Sequence, residues 1–183
     1  CGNHRAFPAP AAARRPATRK VTRTSRCTAR GRVRILFDGR PGGVATMNLK
    51  SKLANSTRRL TMEVCVIPSA VVTQAVAGAD AVIIDQEHGG VDMASLHAMV
   101  AATAGTECAP LVRIPEMGAA HVKRALDMGA EGIVFPLVRS ADDARTCVSM
   151  LRYPPNGQRG WGPFIAHSRW QVPLMDYLPT HAD

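Results

Sequence analysis

The chain reads as an α/β protein: the first four βα units of a (β/α)8 barrel, preceded by a basic extension. Three observations predict this. Short apolar runs of strand length alternate four times with helix-period stripes between residues 63 and 151, the pattern of parallel strands joined by helical crossovers. The second, third and fourth runs begin at residues 81, 109 and 132, so the units run 28 and 23 residues, near the roughly 31 per unit of an eight-unit barrel. The first strand-to-helix turn, Val66-Ile67-Pro68-Ser69-Ala70-Val71, carries no glycine-rich phosphate loop of the kind found in an open, doubly wound dinucleotide-binding sheet. Four strands cannot close a barrel, so this reading places the other half outside the 183 residues.

Residues 1–46 stand apart. They carry eleven of the 23 Lys and Arg residues and a single acid, Asp38. The 137 residues that follow hold twelve bases and thirteen acids, so the whole formal excess of +9 belongs to the leading segment. Rich in Arg, Ala, Pro and Thr and without periodicity, it cannot bury enough apolar surface to offset chain entropy and is expected to be disordered. Met47 opens a stretch, MNLKSKL, that looks like a natural start. Segment 1–46 then reads as a non-native or read-through extension, or as a transit-like peptide. A nucleic-acid-binding arm is disfavoured, because only Phe7 and Phe37 lie among its arginines to stack on bases.

From residue 47 on, the elements follow in order. Glu63–Ile67 is a short apolar strand, and Pro68–Ala79 has helical character. Ala81–Asp85 (AVIID) is a buried strand ending in a carboxylate. Asp92 caps a helix with Met93, Leu96, Val100 and Thr103 on one face, closed by Gly105. Ala109–Arg113 (APLVR) is a strand ending in a guanidinium, followed by a helix through Val122, Ala125 and Leu126 that stops at Gly129. Gly132–Phe135 is the fourth strand. Ser140 and Asp143 form a capping box ahead of a stripe of Ala144, Cys147, Val148 and Leu151.

Five scattered cysteines with no CxxC pair fit a reducing compartment, and no apolar run approaches the roughly 20 residues needed to span a bilayer. The expectation is a cytoplasmic protein acting on small molecules, without nucleic acid or membrane.

In parallel α/β architectures the reactive groups lie just past the carboxyl ends of the strands. That rule selects Asp85-Gln86-Glu87-His88-Gly89-Gly90, then Arg113-Ile114-Pro115, then Pro136-Leu137. Asp85 three residues before His88 can orient the imidazole as a general base, or His88 can be a loop histidine with a structural bond. Arg113 can fork a carboxylate and steady an enolate, or form a salt bridge to Glu87 or Asp85. Glu87 reads best as a partner for Arg113 at the substrate site; metal or water ligation are its other uses.

The strings AVIIDQEHGGVDMASLHAMVAAT, PLVRIP, KRALDMGAEGIVFPLVRSADDA and RYPPNGQRGWGPFIAHSRW, in that order, resemble the 4-hydroxy-2-oxo-heptanedioate aldolases. These are class II pyruvate aldolases of the wider HpcH/HpaI aldolase/citrate lyase family. The resemblance covers 47–183 and implies that His88 is the catalytic base paired with Asp85, and that Arg113 binds pyruvate and its enolate. It implies a divalent metal (Mg2+, Mn2+ or Co2+) held by a Glu after the fifth strand and an Asp after the sixth. Both would lie beyond Asp183, so no metal ligand is assigned in this chain. It further implies 2-oxo acid and aldehyde as substrates and a homo-oligomer, a hexamer, at full length. The loop from Tyr153 to Gly162 either borders the active site or is simply pinned by Arg159. The rival readings are a CoA-thioester lyase of the citrate lyase β or malyl-CoA type, for which 47–183 shows no basic cluster to hold a pyrophosphate, and an inactive truncated product.

Overall fold

The structure of the protein, a computed structural model, describes residues 48–181; the expected disorder of 1–46 lies outside them. Their elements are α1 (Leu49–Asn55), β1 (Met62–Cys65), α2 (Ala70–Val76), β2 (Ala81–Asp85), α3 (Met93–Ala101), β3 (Ala109–Arg113), α4 (Ala119–Asp127), β4 (Gly132–Val134), α5 (Ala141–Leu151), α6 (Ala166–Arg169), a 3-10 turn at Leu174–Asp176 and α7 (Tyr177–His181). The four strands form one parallel sheet in the order β1-β2-β3-β4, the arrangement expected from the four alternations.

Strand register decides which side chains share a face. Cys65, Ile84, Val112 and Ile133 are successive partners across the sheet. With Val82 they point toward the helices, where Leu96, Met99, Val100, Val122, Ala125 and Leu126 complete the core. The alternate residues point to the other face. There Val64, Ile83, Leu111 and Gly132 form one row, and Asp85, Arg113 and Val134 form the row nearest the carboxyl ends. Val64 is 57% exposed and Ile83 and Leu111 are half-buried, so this second face is less covered than the helix side.

Local signals place the helices. Asp92 accepts from Ser95 N at 2.7 Å to start α3, and Ser140 with Asp143 forms the expected capping box of α5. Gly129, at φ 98°, ends the turn after α4. Four elements end earlier than the sequence reading had them: β1 at Cys65, α2 at Val76, α3 at Ala101 and β4 at Val134. Of the expected α5 stripe only Cys147 is buried; Val148 is 44% exposed.

Three helices were not foreseen: α1 and the short α6 and α7. α1 has no apolar stripe, but its Lys52 is buried, 3.7 Å from Asp80 and bonded to the carbonyl of Glu107, while the amide of Leu49 donates to Glu131. Asp80, Glu107 and Glu131 all lie just before a strand, so α1 is latched to the amino end of the sheet. Arg58 forks Asp80 at 2.7 and 2.5 Å, which with Lys52 supplies the compensation a buried carboxylate needs.

Candidate active site at the carboxyl ends of the strands

The second strand ends in Asp85, the third in Arg113, and the two are Cα partners. Adjacent positions on the same face bring the side chains together. Arg113 donates from Nε to Asp85 Oδ1 at 2.8 Å and from Nη2 to Oδ2 at 2.5 Å, a fork-to-fork pair. Asp85 is fully buried, whereas 30% of the Arg113 side chain is open. Asp85 Oδ1 also accepts the amides of Glu87 at 2.9 Å and His88 at 3.3 Å. The Arg113 guanidinium, with those two amides, holds the Asp85 carboxyl down to about 2 despite its burial. It stays ionised across the whole physiological range.

The loop after β2 is built around that carboxylate. Gln86 N continues the ladder to Arg113 O at 2.9 Å, and its side-chain amide donates to Val91 O at 3.2 Å, closing the loop. Sequence reading assigned Gln86 nothing; a lone polar residue between two charged ones carries no periodic signal. Gly89 is required sterically: a Cβ there would overlap the carbonyl oxygens of Asp85 and Val66. The loop thus lies pressed between the ends of β1 and β2, and Glu87 and His88 project from it. Glu87 Oε2 is 3.3 Å from Arg113 Nε, and its Oε1 is 3.6 Å from His88 Nε2. The His88 side chain is 72% exposed.

All four expected residues therefore gather at one end of the sheet, but their pairing differs from the sequence reading. The Asp85 carboxylate meets the backbone of His88, not its ring. The ring faces Glu87. Arg113, read either as substrate ligand or as salt-bridge partner, is bridged to both carboxylates and still exposes part of its guanidinium.

Among the described residues no three His, Cys, Asp or Glu side chains come together in a way that could hold a metal ion. At this site Asp85 is committed to Arg113. No helix of the described residues is long and apolar enough to cross a membrane.

The segment after α5 is organised elsewhere. Arg159, buried, donates to Asp127 Oδ1 at 3.0 Å and lies 4.5 Å over the Tyr153 ring. Asp127 closes α4, and in a βα unit the helix end returns to the amino side of the sheet. Within the chain, then, Arg159 pins this loop away from Asp85 and Arg113. Among the described residues the buried Tyr153 hydroxyl has no hydrogen-bond partner, and burial pushes it up to about 12.

Residues 67–179 match the family model described as HpcH/HpaI aldolase/citrate lyase. The chain is 38% identical over 116 residues to a hydroxypyruvate/pyruvate aldolase of Roseovarius nubinhibens, a match covering 63% of this chain and 45% of that protein. It is 39% identical over 103 residues to a 4-hydroxy-2-oxo-heptane-1,7-dioate aldolase of Salmonella dublin, covering 56% of this chain and 39% of the relative. Among solved structures it resembles an HpcH/HpaI aldolase/citrate lyase family protein from Burkholderia cenocepacia, with a TM-score of 0.64 and 32% identity over 72% of this chain and 54% of that one. The chain spans less than half the length of these two curated relatives.

Proposed function

Because the chain belongs to the HpcH/HpaI aldolase/citrate lyase family, we propose that it supplies the enolate-binding and proton-transfer groups of an aldolase acting on 4-hydroxy-2-oxo acids. The observation that carries the reading is the Arg113 guanidinium, anchored by a buried carboxylate at the strand ends yet partly open, beside an exposed imidazole in the next loop. Relatives named as pyruvate and 4-hydroxy-2-oxo acid aldolases support it.

In the cleavage direction His88 accepts the proton of the C4 hydroxyl, the C3–C4 bond breaks, and the aldehyde leaves as its carbonyl forms. The bonding pair stays on the pyruvate fragment as an enolate. Arg113 holds that fragment by charge-assisted bonds, which strengthen as negative charge gathers on oxygen. Returning the proton to C3 gives pyruvate. In the synthetic direction the same groups act in reverse order.

Among residues 48–181 no group of three or more His, Cys, Asp or Glu is placed to hold the divalent metal that the resemblance implies. Assembly as a homo-oligomer belongs to the same proposal.

The test is release of pyruvate from 4-hydroxy-2-oxo acids of varied chain length by the natural protein, assayed with and without Mg2+, Mn2+ or Co2+. Turnover on such acids that collapses in His88→Ala supports the reading. Turnover confined to CoA thioesters would replace it with the lyase alternative.

A further inference from the structure

The buried carboxylate at the end of β2 makes four hydrogen bonds, and none reaches the imidazole three residues on. Oδ1 takes Arg113 Nε and the amides of Glu87 and His88; Oδ2 takes Arg113 Nη2. With both oxygens committed and the side chain fully buried, Asp85 has little capacity left to orient an exposed ring. Its chemistry is directed at the guanidinium.

A guanidinium has five N–H donors in a fixed plane. Asp85 occupies the side edge, Nε and one hydrogen of Nη2. Among the described residues no hydrogen bond is made by Nη1, so the end edge formed by Nη1 and the second Nη2 hydrogen is available. That edge also presents two parallel N–H bonds, the geometry that matches a carboxylate. The Asp85 fork fixes the plane and the tilt of the ion, and thereby the direction in which the free edge points. Glu87 lies on the anchored side, 3.3 Å from Nε, and does not block it.

We infer that Asp85 is a positioning residue that acts through Arg113 rather than through His88, locking the guanidinium so that its Nη1/Nη2 edge receives the carboxylate of a 2-oxo acid. The lock is a statement about this structure alone; the nature of the acid rests on the aldolase reading above. Glu87 then becomes the carboxylate that faces the His88 ring. A purely architectural Asp85 would affect folding without any special effect on the Arg113 edge, and this separates the two roles.

The experiment is 15N-edited proton NMR of arginine side chains in this chain, with pyruvate as probe. The Nε–H of Arg113 should exchange with water at least about tenfold more slowly than that of exposed Arg152, because a buried acceptor holds it. His88→Ala should leave that rate within about twofold, and Asp85→Asn should raise it to the Arg152 level. Pyruvate should shift the Arg113 Nη signals in the wild type and in His88→Ala, and much less in Asp85→Asn. An Nε–H exchanging at the Arg152 rate in the wild type, or one lost in His88→Ala, overturns the lock. A protected Nε–H with no response to pyruvate in any form leaves the lock standing and overturns the 2-oxo acid reading. Should Asp85→Asn fail to fold, the wild type and His88→Ala decide both points.

Discussion

Asp85 and Arg113 face each other across the β2–β3 ladder as Cα partners, and their side chains close a bidentate ion pair at 2.8 and 2.5 Å. Their strands begin 28 residues apart in the chain, so the pair ties the sheet's register directly to the geometry of its reactive end. A slip of one residue would turn one of the two groups to the opposite face, and the pair could not form.

The pair sets a pH signature. Asp85 has its carboxyl lowered from 3.8 to about 2 in the folded protein, first by the Arg113 bond. A lowered carboxyl pKa contributes stability that is present above the unfolded value and lost as pH falls through the folded one. The contribution should therefore be complete above about pH 4 and gone below about pH 2. Acid unfolding followed by circular dichroism should show a steeper loss in this window for wild type than for Asp85→Asn. Parallel acid limbs in the two proteins would mean the pair contributes nothing to stability.

Two neighbouring glycines should respond oppositely to the same change. A Cβ at Gly89 overlaps two backbone carbonyl oxygens, whereas nothing lies within 4 Å of one at Gly90. Gly89→Ala should cost about 1–3 kcal/mol and loosen the Glu87 and His88 amides from Asp85, visible as faster hydrogen exchange at both. Gly90→Ala should be nearly silent in the same measurements. Equal effects at the two positions would contradict the packing of the loop between β1 and β2.

Arg159 should matter for stability and not for the site. Its side chain is 4% exposed and bonded to Asp127, so Arg159→Ala strands a desolvated carboxylate. The expected loss is about 3 kcal/mol, read as a fall in Tm of about 10 °C. The Arg113 side-chain spectrum should not change. A melting point within a degree or two of wild type would show that the loop is held by other contacts.

Much of the fold was legible because its signals are local. Asp92, Ser140 and Asp143 announce helix starts through short side-chain-to-backbone bonds, and both caps formed as read. The strand-end rule brought Asp85, Glu87, His88 and Arg113 to one end of the sheet without any knowledge of register. What stayed hidden depends on tertiary partners. α1 exists through Lys52 and the Leu49 amide, whose hydrogen bonds go to Glu107 and Glu131, more than fifty positions away, and its own sequence has no stripe to reveal it. The expectation that Asp85 orients the His88 ring came from sequence spacing and from the family resemblance. Spacing cannot register that Arg113, 28 residues later, competes for the same oxygens with a planar cation. The α5 stripe misled at Val148, which has helical spacing yet is 44% exposed.

The proposed reaction requires this site to stabilise a pyruvate enolate, with His88 as the base and Arg113 as the anion ligand. Exchange of the pyruvate methyl protons with deuterated water, followed by proton NMR with the natural protein, tests this without any aldehyde partner. The expected result is protein-dependent loss of the methyl signal, at a rate that falls by about a hundredfold or more in His88→Ala and comparably in Arg113→Lys, where the charge remains but the planar fork is lost. Exchange at the wild-type rate in both variants would contradict it.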